Sequence, residues 1–379
     1  MLLSSLLSIA VFSILALANL QHEIDPRIKT ALAMGQGSTG ASTTPDGRLF
    51  LILPHVDGSH GNRIVEVIDK GCNGSDPKLV GFPDENWNSW NASTDNSIDA
   101  GVKYVSPNAQ RIGPDGKLWV VDSGIPDQYQ NSSKLISFNL ETNKVDRIYY
   151  LGKITTGAGL LNDVRFNGKF AYLTEYTIGS IIVLDLENGH ARMVLRKHTS
   201  TIAHFPDSAD GKFLISSSTG KPQYIHADDL EVSPDGKYFY YQPGSGYMWR
   251  IETKYLNDAL YNNTAAGLLH MYTEPYSPTP ATGGTAIDAA GNIYYSDVDR
   301  HEIRYVSPNQ TTTLLTRDSR LEWVDAMWVD SEQRLWMCAS QLNRGDRFIQ
   351  PNNQTYSITK PVYIYTIDVD HGPSPIDHS

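Results

Sequence analysis

A pattern of polar turn residues followed by alternating apolar and aromatic residues recurs six times along the chain. Each copy is built on Asp-Gly or a related turn sequence, and a short apolar stretch precedes the turn. Apolar and aromatic residues at every second position are typical of strands, so each copy predicts a β-hairpin. The copies span residues 44–53, 113–122, 166–175, 233–242, 288–297 and 330–339.

Further stretches of strand character follow the hairpins, for example at residues 134–139, 180–185 and 302–306. The copies begin roughly 40 to 70 residues apart, which is the period of a four-stranded propeller blade with long loops. We therefore predict an all-β fold, a single-domain six-bladed β-propeller over residues 19–379. Residues 361–368 are expected to complete the last sheet and residues 253–269 to form a short helical segment, whereas the residues after 368 are expected to fray.

The N-terminal residues 1–18 form an uncharged apolar run that ends in Ala16-Leu17-Ala18, a small-x-small cleavage pattern. We interpret this run as a secretory signal peptide, with an uncleaved membrane anchor as the alternative. The protein is expected to be secreted, with no membrane contact after cleavage. Six glycosylation sequons agree with this route. They are Asn73, Asn91, Asn131, Asn262, Asn309 and Asn353.

Composition excludes several classes of protein. The chain of 379 residues is 40% hydrophobic and 19% charged, which is unlike a disordered tail or a coiled coil. Its formal net charge of −11 repels phosphate backbones, so no nucleic-acid partner is expected. The only two cysteines, Cys72 and Cys338, exclude a disulfide scaffold. One bridge between them and two separate buried thiols both remain open.

Ligands bind to a propeller where its innermost strands begin, because these starts converge at one mouth of the channel. Asp and Asn dominate the corresponding positions here. Such oxygens could hold a structural Ca²⁺ in the central channel, or they could simply cap turns by accepting backbone N–H bonds. The metal ligands, if any, are therefore left unassigned and no other cofactor is expected. The catalytic candidates are Asn108, Asp163, Asp229 and Asp325.

A second set of residues lies on or beside strands that run to or from the same mouth. Their aromatic, amide and hydroxyl groups predict a pocket for small apolar substrates with one polar end. The substrate-binding candidates are Tyr176, Tyr241, Trp323, Gln341 and Asn343. His204 and Asp207 could form an acid–base pair at a loop tip. No His-x-x-x-His metal pair, Gly-x-Ser-x-Gly elbow or phosphate loop is present in the sequence.

The phrases at residues 112–124, 161–166, 241–246 and 324–328 resemble the major royal jelly protein/Yellow family. The resemblance spans nearly the whole mature chain. The low cysteine count and the phrase at residues 294–300 are more similar to the fungal branch than to the insect branch. This resemblance implies a secreted six-bladed propeller with a ligand funnel, in a family whose activities vary.

Fungal proteins of this kind include hetero-Diels–Alderases of tropolone–sesquiterpene biosynthesis. The resemblance therefore implies a pericyclase of secondary metabolism that joins a tropolone-derived quinone methide to a humulene-type sesquiterpene and gives a meroterpenoid. A cycloaddition needs no nucleophile, because holding two apolar partners in contact lowers the barrier. A positioned acid would assist the loss of water that forms the quinone methide.

Two other functions remain open. Residues 162–163 and 229 are also similar to the calcium-dependent gluconolactonase propellers, which implies a lactone hydrolase. The glutamate that those propellers carry on the first inner strand is not evident near residues 40–44. The second alternative is a non-catalytic protein that binds small molecules, like other members of the Yellow family.

Overall fold

The computed structural model describes residues 24–71, 76–157 and 159–378. Their strands form six four-stranded antiparallel sheets and one two-stranded sheet, which confirms the predicted six-bladed propeller. The predicted signal peptide, Cys72 and the sequon Asn73 lie outside the described residues. Cys338 is buried, and a bridge to Cys72 stays untested because Cys72 is not among the described residues.

The strand bounds follow the predicted repeat. Strand β1 (Lys29–Met34) precedes the first blade. Blade 1 contains β2 (Gly40–Thr43), β3 (Leu49–Ile52), β4 (Ile64–Asp69) and β5 (Lys78–Gly81). Blade 2 contains β6 (Pro107–Ile112), β7 (Leu118–Asp122), β8 (Lys134–Asn139) and β9 (Lys144–Tyr150). Blade 3 contains β10 (Leu161–Asn167), β11 (Phe170–Glu175), β12 (Ser180–Asp185) and β13 (Ala191–Val194).

The two-stranded sheet, β14 (Ser208–Ala209) and β15 (Lys212–Phe213), lies between blades 3 and 4 in the sequence. Blade 4 contains β16 (Ala227–Val232), β17 (Tyr238–Pro243), β18 (Met248–Glu252) and β19 (Glu274–Ser277). Blade 5 contains β20 (Thr285–Ile287), β21 (Ile293–Asp297), β22 (Glu302–Val306) and β23 (Thr312–Arg317). Blade 6 contains β24 (Val324–Val329), β25 (Arg334–Ala339), β26 (Val362–Asp368) and, as its outermost strand, β1.

Helices are short and peripheral. They are α1 (Asp99–Val102), α2 (Thr253–Tyr261) and α3 (Asn263–Leu268). Helix α2 packs against β12, β13 and β18 between blades 3 and 4, as expected for residues 253–269. Short 3₁₀ turns occur at Gln130–Ser132, Leu269–Met271, Leu342–Arg344 and Pro351–Asn353. Among the described residues, no helix combines the length and apolar character needed to cross a bilayer.

The two ends of the described chain close the ring. Strand β1 pairs with β26, from Lys29 opposite Thr366 to Met34 opposite Val362. The innermost strands β2, β6, β10, β16, β20 and β24 contact one another in succession, and β24 also contacts β2. Residues 361–368 join the last sheet as β26, as predicted, but they are its third strand. Strand β1 completes the sheet, and no sequence pattern indicated this role for β1.

The repeated turn has a backbone reason. In the second copy, the N–H of Gly116 donates to the carbonyl of Gly113 at 3.0 Å, and Gly116 has a φ of 70°. Glycine tolerates this left-handed conformation because it has no Cβ. Three other copies have a left-handed glycine at the same position of the turn: Gly47, Gly236 and Gly291.

Aromatic packing between blades 1 and 2 holds the long connection between them. The Phe138 side chain is fully buried, and its ring lies 5.6 Å from the Phe82 ring and 5.4 Å from the Trp87 ring, both edge-on. Edge-on aromatic pairs stabilise a fold beyond the area that they bury. Phe82 and Trp87 therefore anchor residues 82–100, a segment whose polar sequence predicts only a loop.

We expect Phe138→Ala to lower the free energy of unfolding by about 3–5 kcal/mol, because it leaves a cavity among three aromatic rings. Val145→Ala on the exposed face of the neighbouring strand should cost less than about 1 kcal/mol. Urea unfolding of both variants measures the difference. Equal losses for the two variants would contradict the packing described here.

A connection between blades 3 and 4, residues 195–226, is named here the cap segment. Its buried Leu214 belongs to a cluster with Val298 of blade 5 and with Trp323 and Phe348 of blade 6. Asp299 adds two contacts, since it accepts hydrogen bonds from Ser208 Oγ at 2.6 Å and the Gly211 N–H at 2.8 Å. The cap segment is therefore packed onto blades that are distant from it in the chain.

Candidate functional site

The starts of the inner strands line one funnel at an end of the central channel. The funnel has a cavity volume of about 120 Å³ and is open to solvent at one end. All four catalytic candidates line it: Asn108, Asp163, Asp229 and Asp325. Of the substrate-binding candidates, Tyr176 and Trp323 also line it. The structure thus brings these six predicted residues together, and their roles remain predictions.

Crowded carboxyl groups give the funnel an acidic character. Burial and the neighbouring Asp229 raise the pKa of Asp228 well above its ordinary value. Burial and Asp325 do the same to the pKa of Asp229. Burial raises the pKa of Asp325 to about 7, although the Ala326 N–H and the Trp323 indole oppose this shift. Each shift favours the neutral form, and a pKa of about 7 lets Asp325 donate a proton near neutral pH.

Asp163, on blade 3, has the opposite environment. The Arg165 guanidinium bonds to Asp163 Oδ2 at 2.5 Å and to both oxygens of Glu231 at 2.8 and 2.9 Å. A second guanidinium, that of Arg111, lies 3.6 Å from Asp163 Oδ2. Blades 3 and 6 lie opposite each other in a ring of six. The funnel therefore presents an ion-paired carboxylate across from the proton-holding Asp325.

The floor of the funnel is held from below by residues that were expected to fray. Asp377 is buried and forms an ion pair with Arg111. The His378 ring stacks on the Trp328 ring at a centroid distance of 3.5 Å, and its Nε2 lies 2.7 Å from the Val329 carbonyl oxygen. Burial alone would raise the pKa of Asp377, but Arg111 and His378 hold it below its ordinary value. The expectation of a frayed segment after residue 368 is wrong.

Oxygen-bearing side chains also connect three neighbouring blades. The Asn108 amide donates to the Asn162 side-chain oxygen, and the Asn162 amide donates to Asp228 Oδ1. Hard cations such as Ca²⁺ prefer oxygen ligands of this kind. On blade 1, however, the start of the inner strand lines the funnel with Thr39, Gly40 and Ala41, among which only the Thr39 hydroxyl offers a side-chain oxygen. This donor set fits a cation in part, with three side chains and room for water.

Three predicted substrate-binding residues do not line the funnel. Tyr241 is fully buried in the core beside Phe239, and its hydroxyl lies 2.7 Å from Ser200 Oγ. Gln341 donates to the Thr359 carbonyl at 2.8 Å. Asn343 donates to Glu322 Oε1 at 2.7 Å. Strand alternation turns Tyr241 away from the channel, and the loop after β25 bonds to its own blade, so these positions fit structural roles.

The structure brings together a cluster that no motif indicated. His301 Nε2 lies 2.7 Å from Asp210 Oδ1 of the cap segment and 3.7 Å from Glu322 Oε2. Arg344 pairs with the same Glu322 oxygen at 2.7 Å. The hydrogen bond with Asp210 raises the pKa of His301. Three residues that are distant in sequence thus fasten the cap segment to blades 5 and 6.

The suggested pair of His204 and Asp207 is wrong. His204 Nε2 lies 2.8 Å from the Thr199 carbonyl oxygen. Asp207 is buried, and its Oδ2 accepts the Ile225 N–H at 2.7 Å. Its Oδ1 has no hydrogen-bond partner among the described residues. Burial raises the pKa of Asp207 to about 8.

The sequons within the described residues are accessible. They are Asn91, Asn131, Asn262, Asn309 and Asn353, all on exposed positions. Asn262 also caps α3, because its side-chain oxygen accepts the N–H groups of Thr264 and Ala265. Exposure is required for glycosylation but does not establish it, so the use of these sites stays a prediction.

With the site described, comparisons with known proteins place the chain in a family. Residues 105–363 match the family described as major royal jelly protein. The chain belongs to the major royal jelly protein family. The matched residues contain blades 2 to 5 and the first two strands of blade 6, and the ring described above agrees with a propeller family. No curated protein sequence matches the chain significantly.

Solved propellers of other families are similar in fold. A gluconolactonase from Xanthomonas campestris is 11% identical, with a TM-score of 0.52 over 90% of this chain and 89% of that chain. A luciferin-regenerating enzyme is 11% identical, with a TM-score of 0.53 over 93% and 99%. Virginiamycin B lyase from Staphylococcus aureus is 12% identical, with a TM-score of 0.47 over 87% and 80%. At 11% identity, the likeness of the gluconolactonase and the luciferin-regenerating enzyme to this member of the major royal jelly protein family shows the fold alone.

Asp207 gives the cap segment a testable pH dependence. Its pKa is about 8 in the folded chain and about 3.9 when unfolded. Between these pH values the folded state therefore holds one more proton than the unfolded state. The contribution of Asp207 to the free energy of unfolding then falls by about 1.4 kcal/mol for each unit that the pH rises. We expect Asp207→Asn to remove this slope. Urea unfolding at pH 5 and pH 8 measures it.

The matched control for this experiment is Asp370→Asn, which changes an exposed carboxyl group. The stability difference between wild type and Asp207→Asn should move in favour of the variant from pH 5 to pH 8, and the control should follow wild type. A constant difference at the two pH values would show that Asp207 ionises normally.

Proposed function

We propose that this protein is a secreted fungal enzyme of secondary metabolism that catalyses a hetero-Diels–Alder cycloaddition. Its substrates would be a tropolone-derived quinone methide and a humulene-type sesquiterpene, and its product a meroterpenoid. The observation that carries the proposal is the proton-holding Asp325, beside Trp323 and across the funnel from the ion-paired Asp163. One site thus offers an acid and a base whose environments differ.

The chemistry divides into two steps. A protonated carboxyl group such as Asp325 donates to the hydroxyl of a tropolone alcohol, the C–O bond breaks and water leaves. The ring hydroxyl gives up its proton either to a carboxylate such as Asp163 or to water before binding, and loss of water then gives the neutral quinone methide. The alkene then adds across this heterodiene, forming one C–C and one C–O bond with no further proton transfer. Hydrogen bonds from Asp229 and Asn108 to the ring oxygens would lower the barrier of this second step.

The walls of the funnel suit apolar partners. Tyr176 and Trp323 supply flat aromatic surface, and Leu230, Met327 and Trp328 add apolar area nearby. Holding two molecules in contact offsets the entropy that their encounter would otherwise cost. The proposed secretion rests on the sequence pattern of residues 1–18, and the proposed substrates rest on the resemblance to the fungal enzymes. The funnel supplies the groups that the proposed reaction needs.

The test is a product assay with purified protein, a tropolone alcohol and a humulene-type alcohol, analysed by chiral chromatography. We expect a single enantiomer to form only with protein. Asp325→Asn keeps the shape of the side chain and removes its proton, so the rate should fall by about 10²–10⁴-fold. Asp76→Asn, an exposed carboxyl outside the funnel, is the matched control and should keep the wild-type rate.

If the protein gives no rate above that of the uncatalysed mixture, the proposed function is wrong. Tight binding of both substrates without turnover would instead support a non-catalytic binding protein. A wild-type rate for Asp325→Asn would leave the cycloaddition standing and remove Asp325 from its mechanism.

A calcium-dependent lactone hydrolase is the second candidate, favoured by the chain of Asn108, Asn162 and Asp228. These residues would hold Ca²⁺, which would polarise a lactone carbonyl when bound. If this candidate is correct, metal analysis finds Ca²⁺ that chelator removes, and Asp228→Asn abolishes its binding. Retention of cycloaddition in excess chelator, with no Ca²⁺ bound, would exclude it.

A further inference from the structure

Two arginines of the funnel, Arg63 and Arg347, differ from Arg111 and Arg165 in having no ion-pair partner within the described part of the chain. Arg63 directly precedes β4 on blade 1, and Arg347 lies in the connection between β25 and β26. Both line the funnel. Neither guanidinium has a hydrogen bond or ion pair with any residue of the described ranges, whereas Arg111 and Arg165 are paired with carboxylates. The funnel therefore contains two cationic groups without a protein partner.

The nearby carboxyl groups do not bond to them. Asp122 accepts hydrogen bonds from Lys134 Nζ and the Val105 N–H, both at 2.8 Å. Asp325 accepts from the Trp323 indole at 3.1 Å. Burial and the charge of Arg347 lower the pKa of Arg63, and the charge of Asp122 opposes this shift. Arg63 is half-buried and Arg347 is exposed, and a half-buried charge without a bonded partner favours a ligand of opposite charge.

We propose that Arg63 and Arg347 form a binding site for a flat, conjugated organic anion with neighbouring oxygens. Guanidinium groups present a planar set of N–H donors that matches two adjacent anionic oxygens. Tyr176 and Trp323 line the same funnel and supply the aromatic surface on which a flat ring can lie. This proposal specifies the substrate class of the proposed function, and it rests on the funnel being the site of that function.

The probe is tropolone, whose ionised form carries two adjacent oxygens on a flat ring, compared with tropone, which lacks the acidic hydroxyl. Calorimetric titration of the full chain at neutral pH should show tighter binding of tropolone than of tropone. Arg63→Gln and Arg347→Gln should each weaken tropolone binding by about tenfold or more and leave tropone binding unchanged. Arg63→Lys, which keeps the charge without the planar donors, should recover part of the loss.

Arg196→Gln is the matched control, because Arg196 is exposed and lies outside the funnel. Its tropolone affinity should equal that of wild type. Equal affinities of wild type for tropolone and tropone, or a wild-type tropolone affinity in Arg63→Gln, would overturn the proposal. If wild type binds tropolone more tightly than tropone but catalyses no cycloaddition, the anion site stands and the proposed reaction is wrong. If Arg63→Gln catalyses the cycloaddition with an unchanged KM, the proposed reaction stands and the anion site is wrong.

Discussion

Closure of the ring is the constraint on which the rest of the structure depends. An open array of six sheets would leave two unpaired faces, and the pairing of β1 with β26 removes them by making the last blade from both ends of the described chain. Once the ring is closed, the six inner strands must start around one axis. Polar side chains at those starts then have no direction to point except into the channel or toward a neighbouring blade. The funnel is thus a geometric result of closure.

Convergence creates an electrostatic problem that the molecule solves in two ways. Arg165 and Arg111 face Asp163, Glu231 and Asp377, so these charges have partners of opposite sign. Asp228, Asp229 and Asp325 have no such partner among the described residues, and their burial favours the neutral form of each. The paired groups keep their charge, whereas Asp325 can donate a proton near neutral pH, which is the property that acid catalysis requires.

The fold was readable because the hairpin pattern is local: a left-handed glycine at a fixed place and alternating strand residues suffice to count blades. The starts of the inner strands were readable for the same reason, and Asp163 and Asp325 lie where the pattern placed them. Tyr241 was misplaced because the pattern marks a strand but not which face of it meets the channel. Asp377 and the cap segment gave no repeating signal. Their positions depend on contacts across the ring.

Either bound protons or a metal ion could neutralise the negative charge of the crowded carboxyl groups. A divalent cation among Asn108, Asn162 and Asp228 would lower the pKa of the adjacent carboxyl groups, and the funnel would then lose its proton donors. Arg63 and Arg347 add positive charge to the same space. The positive charge of these two arginines therefore opposes the binding of a metal ion and supports the proposal of an anionic ligand.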